Sequence, residues 1–394
     1  MIGHYREHEY FLKNLLQVPG ARVWILSIIM TSVLFTAIGC TSSPTDSKSS
    51  EIPFKDNHTV YTKWDDVFEN DTVILFTFPD PSVELYSIQT LLLLPDKGYI
   101  IADYKAKRVI LFDSNAKFVR YIVNGAGVGP GELSSGSGKG CLGNDKTLYL
   151  LDLPSFCVNK YVPPDYRFER AFKISFYSQG FLPDKEGNLI HYTCQDTSVL
   201  HKISPDGKLL KKAYQVNNLS FRLFSSRFQI GLMDEIPGEG FLFTYPEEYK
   251  VVLFDYDLNI KKVLYAATFS HFFPERVIFP STLSPSDYTP SHAKWWDSAV
   301  RVGPPYHLGN GLFFLELYQF KKLGITSFLN LHDMNGKTYA IGLKEPFENS
   351  GIFAARHGFI YLVEDSSFDA AGNVTPLKLH RYKLKNQIFS KGRH

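Results

Sequence analysis

Six copies of a strand-and-turn pattern, most of them about 40 to 50 residues apart, predict an all-β chain: a six-bladed β-propeller of four-stranded antiparallel blades. Three observations carry this. The stretch Leu91–Glu132 alternates short apolar strands with polar turns and ends in a glycine-rich corner. An apolar or aromatic position then recurs at Phe112, Tyr161, Ile203, Phe254, His332 and Tyr382. Finally, a strand at Asp71–Phe78 has no unit of its own, while the last unit lacks a fourth strand.

In the clearest unit an inner strand at Ile88–Leu94 reaches the turn Pro95-Asp96-Lys97-Gly98. The second strand, Tyr99–Asp103, ends at a polar corner. The third, Arg108–Phe112, runs into the turn Asp113–Lys117, and Phe118–Val123 closes the unit. Alternating apolar residues mark the strands, and Gly, Pro, Asn and Asp mark the turns. The third strand and its turn return as Val158–Tyr161 before Pro163-Pro164-Asp165, and as Val199–Ile203 before Pro205–Lys208. They return again as Val251–Phe254 before Asp255–Asp257, Phe328–His332 before Asp333–Lys337, and Leu377–Tyr382 before Lys385-Asn386. Each copy has an earlier hairpin, at Gly143–Lys146, Asp184–Asn188, Pro237–Gly240, Gly309–Gly311 and His357-Gly358. The long step from Phe254 to His332 implies an insertion at about residues 267–298. A twisted blade has two faces to bury, and a ring of blades hides both. Asp71–Phe78 is therefore expected to complete the last blade and join both ends of a domain spanning residues 57–394.

Composition agrees. Of 394 residues, 44% are hydrophobic and 15% aromatic, enough for a large core, with 32 Phe and 23 Tyr suited to strands. The formal net charge of +2 implies no basic face, which argues against nucleic acid as a partner, and a monomeric domain is expected. Cys141, Cys157 and Cys194 have no metal-ligand spacing; three thiols allow at most one internal disulfide, and buried free thiols are the plain reading.

The repeat has a resemblance. Asp103, Arg108, Phe112-Asp113 and the Lys117–Arg120 tail resemble NHL-type propeller repeats. The corner Gly127-Val128-Gly129-Pro130-Gly131-Glu132 is similar to that of six-bladed propeller lipoproteins of Bacteroidetes-type bacteria. Ala106 stands where NHL repeats usually have Asn, and Cys157 stands where the first unit has Arg108. What the resemblance implies is the fold, since many members have no assigned activity.

The N-terminus reads as an address. Arg6, Lys13 and Arg22 precede an uncharged run, Val23–Gly39, which Cys40 ends. Ala37-Ile38-Gly39-Cys40 resembles the lipobox of a bacterial lipoprotein signal peptide. The resemblance implies removal of residues 1–39 and a lipid on Cys40. The mature protein would then be anchored in the cell envelope, on its periplasmic or cell-surface side. Residues 40–56, rich in Ser, Thr, Lys and Asp, read as a flexible tether. An uncleaved anchor helix is the rival reading, although the run is at the short limit for a bilayer span; a cleaved, secreted protein is the third.

Candidate sites are few. The glycine-rich corner lacks the Lys-Ser/Thr of a phosphate loop and does not lead into a helix, so Gly127, Gly129, Pro130, Gly131 and Glu132 read as a structural turn with positive-φ glycines and a carboxylate on backbone amides. Asp103 and Asp152 end second strands and read as turn caps. The insertion carries Phe272, Phe273, Trp295 and Trp296, which suit a protein, peptide or glycan partner, or else a cap that buries both tryptophans. His191, His307 and His357 lie near inner or second strands. Some NHL-like lyases and lactonase-like propellers hold a metal in the channel, so calcium or zinc on these histidines is the weaker alternative to ordinary structural histidines. No cofactor and no catalytic residue is predicted otherwise: nucleophile elbow, Walker loop and zinc-protease helix are all missing from the sequence. The sequence thus points to a membrane-tethered binding or scaffold propeller, with a metal-dependent lyase or lactonase-like hydrolase as the alternative.

Overall fold

The structure, a computed structural model, describes residues 61–134, 138–176, 180–193, 196–216, 233–245, 249–266, 300–321, 324–346, 351–364 and 374–386, with a few single positions between them. The segment 1–56 with Cys40, the insertion with Phe272, Phe273, Trp295 and Trp296, and Cys194 lie outside the described residues. No helix among the described residues is long and apolar enough to cross a membrane.

A helical turn, Trp64–Val67, leads into β1 (Phe68–Ile74). Blade 1 is β2 (Ile88–Leu93), β3 (Tyr99–Asp103), β4 (Arg108–Phe112) and β5 (Phe118–Asn124). Blade 2 is β6 (Lys139–Leu142), β7 (Leu148–Asp152), β8 (Cys157–Val162) and β9 (Arg167–Lys173). Blade 3 is β10 (Gly180–Pro183), β11 (Leu189–Tyr192), β12 (Ser198–Ile203) and β13 (Leu209–Gln215). Blade 4 is β14 (Met233–Ile236), β15 (Gly240–Thr244), β16 (Lys250–Phe254) and β17 (Ile260–Ala266). Blade 5 has three long strands, β18 (Val300–Gly309), β19 (Leu312–Lys321) and β20 (Gly324–Asp333), before β21 (Thr338–Leu343). Blade 6 begins with β22 (Gly351–Arg356) and β23 (Phe359–Glu364). A short pair, β24 (Ser367–Phe368) with β25 (Val374–Thr375), precedes its third strand, β26 (Lys378–Leu384).

Every blade is an antiparallel sheet of four strands, and the fourth strand of blade 6 is β1, ordered β1-β26-β23-β22. An N-terminal strand closes the ring as expected, with Phe68 opposite Leu384 and Ile74 opposite Leu379, but it begins and ends earlier than the expected Asp71–Phe78, and Phe76 and Phe78 pack on blade 1 instead. Trp64 packs edge-on to Tyr382, and Phe68 meets Phe314 of blade 5. Tyr61 adds a bridge to Ala340 on the outer strand of blade 5, so the N-terminal segment touches two blades.

Six hydrophobic clusters hold the ring, one between each pair of neighbouring blades. The strand period of two explains this directly. On β3, Ile100 and Ala102 join Leu148 and Leu150 of blade 2, whereas Tyr99 and Ile101 join Tyr361 and Val363 of blade 6. A middle strand buried on both faces therefore reads as a continuous apolar run rather than an alternating one.

The turns are chemically repetitive. Asp113, Asp184, Asp255 and Asp333 each use one carboxylate oxygen to accept the amides two and four residues on, at 2.8–2.9 Å. The residue just before the second amide is left-handed in each: Ala116, Gly187, Leu258 and Gly336. In blade 3 the hydroxyl of Ser204 substitutes, accepting the Lys208 amide.

Joins of the first to the second strand and of the third to the fourth lie at one end of the ring, and all are two to five residues long. At the other end, the outer strand of one blade leaves for the inner strand of the next. Those connections run from six residues, 174–179, to 33 residues, 267–299. The ring thus has one face of short turns only and a connection face, where the blade-to-blade segments lie among the joins of second to third strands.

Candidate functional site

The inner strands β2, β6, β10, β14, β18 and β22 contact one another in a closed circle. Strands at the centre of a protein are ordinarily fully buried. Here all of β6, together with Met233, Asp234 and Glu235 of β14, Tyr306 and His307 of β18 and Arg356 of β22, is only half-buried. Cys141, Leu142, Met233 and Tyr306 among them pack against the clusters between blades, and the charged side chains stand on the strands that ring the axis. These strands carry both signs of charge: Lys139 from blade 2, Asp234 and Glu235 from blade 4, and Arg356 from blade 6.

Asp234 is the centre of this group. Enclosure by the ring pushes its carboxyl up to about 7, against the pull of the His307 amide, which donates to Oδ2, and of the Arg356 charge. Enclosure likewise pushes the Lys139 ammonium down to about 7. Glu235 accepts a hydrogen bond from the Tyr256 hydroxyl at 2.6 Å. Burial and the Glu235 carboxylate raise the Cys141 thiol well above its ordinary range, the opposite of what activates a nucleophile. Enclosure thus disfavours the charge on both Asp234 and Lys139, the pattern expected where titratable groups are drawn into the centre of a ring.

A second buried polar group stands between blades 5 and 6. Glu316, 2% exposed, continues the column of Leu312 and Phe314 on β19 and accepts a hydrogen bond from the Tyr306 hydroxyl at 3.1 Å. Burial, then the neighbouring charge of Glu345, hold its carboxyl well above the usual range.

The three histidines are placed apart in role. His191, on β11, is fully buried; its Nδ1 meets Ser178 Oγ at 2.8 Å, its ring stacks on Phe181, and burial pushes it down to about 3. His307 is half-buried on the inner strand β18, and His357 occupies the turn after β22 with φ of 53°. Among the described residues no group of three or more His, Cys, Asp or Glu is disposed to hold a metal. Cys141 and Cys157 are free thiols.

The glycine-rich corner is a turn whose glycines differ in purpose. Only Gly131 of the predicted set has a left-handed backbone, φ 76°, and a Cβ there would lie 2.6 Å from Cβ of Phe168. Gly127 and Gly129 are not left-handed; they admit the Glu132 carboxylate, which accepts the Gly129 amide at 2.7 Å and would collide with a Cβ at Gly127. Positive φ, expected throughout the corner, is found in that set at Gly131 alone, and the carboxylate expected on backbone amides is that of Glu132. Pro130 lies between Gly129 and Gly131 in the same turn.

Asp103 caps the connection into blade 1. Fully buried, it accepts the amides of Tyr86, Ser87 and Ala106 and pairs with Arg108 at 3.2 Å. Asp152 holds the connection into blade 2 through the amide and hydroxyl of Ser134. Sequence reading did not single out Lys139, Asp234 or Arg356. The available signal was charge in the first strand of a unit, as in Lys139-Gly140-Cys141-Leu142 and Met233-Asp234-Glu235-Ile236.

No family model matches the chain, and no curated protein matches it by sequence. Among solved structures it is similar to a protein of Bacteroides fragilis assigned as exported, with TM-score 0.60 and 12% identity over 82% of this chain and 97% of that one. It is also similar to a member of the DUF4221 family from Bacteroides vulgatus, with TM-score 0.54 and 10% identity over 81% of this chain and 98% of that one. At such identities the likeness is one of fold: these proteins share the ring.

Proposed function

We propose that this protein is an extracytoplasmic binding propeller, held at the bacterial envelope by lipid on Cys40, whose connection face engages a protein, peptide or glycan. The observation that carries this reading is the asymmetry of the ring. One face carries only joins of two to five residues, whereas every blade-to-blade connection, six residues or longer, leaves from and returns to the other, beside the joins of second to third strands. Loops on a rigid scaffold are where binding residues concentrate. The longest connection, between β17 and β18, carries Phe272, Phe273, Trp295 and Trp296 in its sequence, a composition suited to a partner's apolar or sugar surface. The apolar run before Cys40 and the exported relative in Bacteroides fragilis support the address.

The test is capture from native membranes by the full chain. Trp295→Ala and Trp296→Ala are expected to lose the partner while melting as the parent does. A partner retained by both variants, or variants that fail to fold, would sink the assignment. Mass spectrometry of the membrane form should find diacylglycerol on Cys40; an intact N-terminus would overturn the anchor.

A lyase or hydrolase acting in the channel is the second reading. It is favoured by Asp234, poised near neutrality beside Arg356 and His307. Among the described residues no group of three or more His, Cys, Asp or Glu is disposed to hold the metal that such a reaction was expected to use. A turnover assay in which Asp234→Asn matches the parent would exclude this reading.

A further inference from the structure

Blades 1 and 2 place a carboxylate at the same point and complete it differently. In blade 1, Asp103 ends the second strand and stands opposite Arg108, the first residue of the third. The buried guanidinium of Arg108 donates to Asp103 and to the carbonyl of Glu84, and lies over the rings of Phe78 and Tyr86. In blade 2, Asp152 ends the second strand and stands opposite Cys157. The carboxylate is still buried, at 2% exposure. Its Oδ2 accepts the Ser134 amide at 3.1 Å and the Ser134 hydroxyl at 2.8 Å, and that hydroxyl also meets Ser155 Oγ. Its Oδ1 has no hydrogen-bond partner among the described residues.

A thiol is far smaller than a guanidinium, and Cys157 Sγ turns toward Asn159 Oδ1, 3.7 Å away. Lys173 lies opposite Cys157 on β9, but it is exposed and makes no ion pair with Asp152 among the described residues. A buried carboxylate without a counter-charge is costly, and the cation that relieves it in the sister blade is a guanidinium. The site is reachable: Ser155 and Phe156 are exposed and Cys157 is half-buried. Phe156, 46% exposed, holds a left-handed φ of 50°, rare for a bulky residue, at the corner leading into Cys157. An aromatic ring there can stack on a planar cation, as Tyr86 does in blade 1.

We propose that Asp152, with Cys157 and Phe156, forms a binding site for a guanidinium group of a ligand, taking the place that Arg108 fills in blade 1. Arg is matched to carboxylates by its planar, fixed fork of donors. The site lies at the corner of blade 2 on the connection face and would exist whether or not the long connections bind a partner.

The probe is N-acetyl-arginine amide added to the full-length protein, with the isosteric, uncharged N-acetyl-citrulline amide as control. The arginine probe should slow alkylation of Cys157 by iodoacetamide, followed on its own peptide by mass spectrometry, in a saturable manner. The citrulline probe should bind about ten-fold more weakly or worse, having lost the charge. Cys157→Arg should supply the guanidinium internally, raise the melting temperature and abolish arginine binding. A tripeptide with central Arg that binds more tightly than the capped residue assigns the site to peptides; equal binding assigns it to free guanidinium compounds. Absence of saturable protection, as expected if water alone satisfies Asp152, would overturn the proposal. So would equal protection by citrulline, or arginine binding retained in Cys157→Arg. The alkylation result on the parent protein decides the matter even if that variant does not fold.

Discussion

Asp103 does more for this ring than any exposed charge, because it is buried and every partner it has is also fixed. Removing it would leave the Arg108 guanidinium buried and unpaired and would release three amides. Asp103→Ala is expected to cost about 3–5 kcal/mol, read as a lowered urea midpoint. Arg108→Met in the same background should recover part of that loss by removing the stranded charge; a double variant no more stable than the single one would contradict this account. Glu316 illustrates the opposite case. Its carboxyl is raised, so the folded protein holds a proton there that the unfolded chain gives up at lower pH. Its contribution is present below the unfolded value and is lost as pH rises toward the folded one. Glu316→Gln keeps the shape and should therefore be more stable than the parent at pH 8 and indistinguishable from it at pH 4. Denaturation curves at the two values check this, and an equal gain at both would refute it.

At the scale of elements, much was legible in the sequence. The Asp-led turns announce themselves because an Asp carboxylate can satisfy amides two and four residues away without help from the rest of the chain. The closing strand was legible by elimination, as a strand without a unit beside a unit short of a strand. Its weight is large: Phe68 and Trp64 fill the cluster between blades 5 and 6, and Arg381 pairs with Asp71. Deleting residues 57–80 should abolish cooperative unfolding of the whole domain, because both the last sheet and its neighbour lose their partners. A deletion variant with an unchanged thermal transition would disprove ring closure by β1. The long step between units four and five was less legible. Part of it is not insertion at all but the extended strands β18 and β19, since an apolar run gives no sign of where a strand should stop.

For the whole molecule, burial of neutral histidines makes a prediction about acid. His191 and His332 are both pushed down to about 3 by burial. Between that value and the ordinary histidine range the unfolded chain binds protons that the folded ring refuses, so stability falls as pH falls from about 6.5 toward 3. Asp234, raised to about 7, acts in the other direction, losing its contribution as pH rises from about 4 to 7. His191→Asn should reduce the acid-side slope by about 1.4 kcal/mol per pH unit between pH 6 and 4, measured by urea unfolding at each pH. An unchanged slope would mean that His191 is protonated in the folded state.

The sequence by itself determined the architecture: six blades, the turn chemistry between strands, and the strand that closes the ring. These are local facts, set by a two-residue period and by side chains that bond their own backbone. Only the tertiary structure decided the functional geography. Lys139, Asp234 and Arg356 are far apart in the chain, and no local pattern tells that their strands share one axis. The contrast between Asp103 with Arg108 and Asp152 with Cys157 needed both kinds of information. The substitution of Cys for Arg is visible in the repeat, but that the carboxylate it leaves is buried, with no ion pair among the described residues, depends on how the connection into blade 2 packs over it.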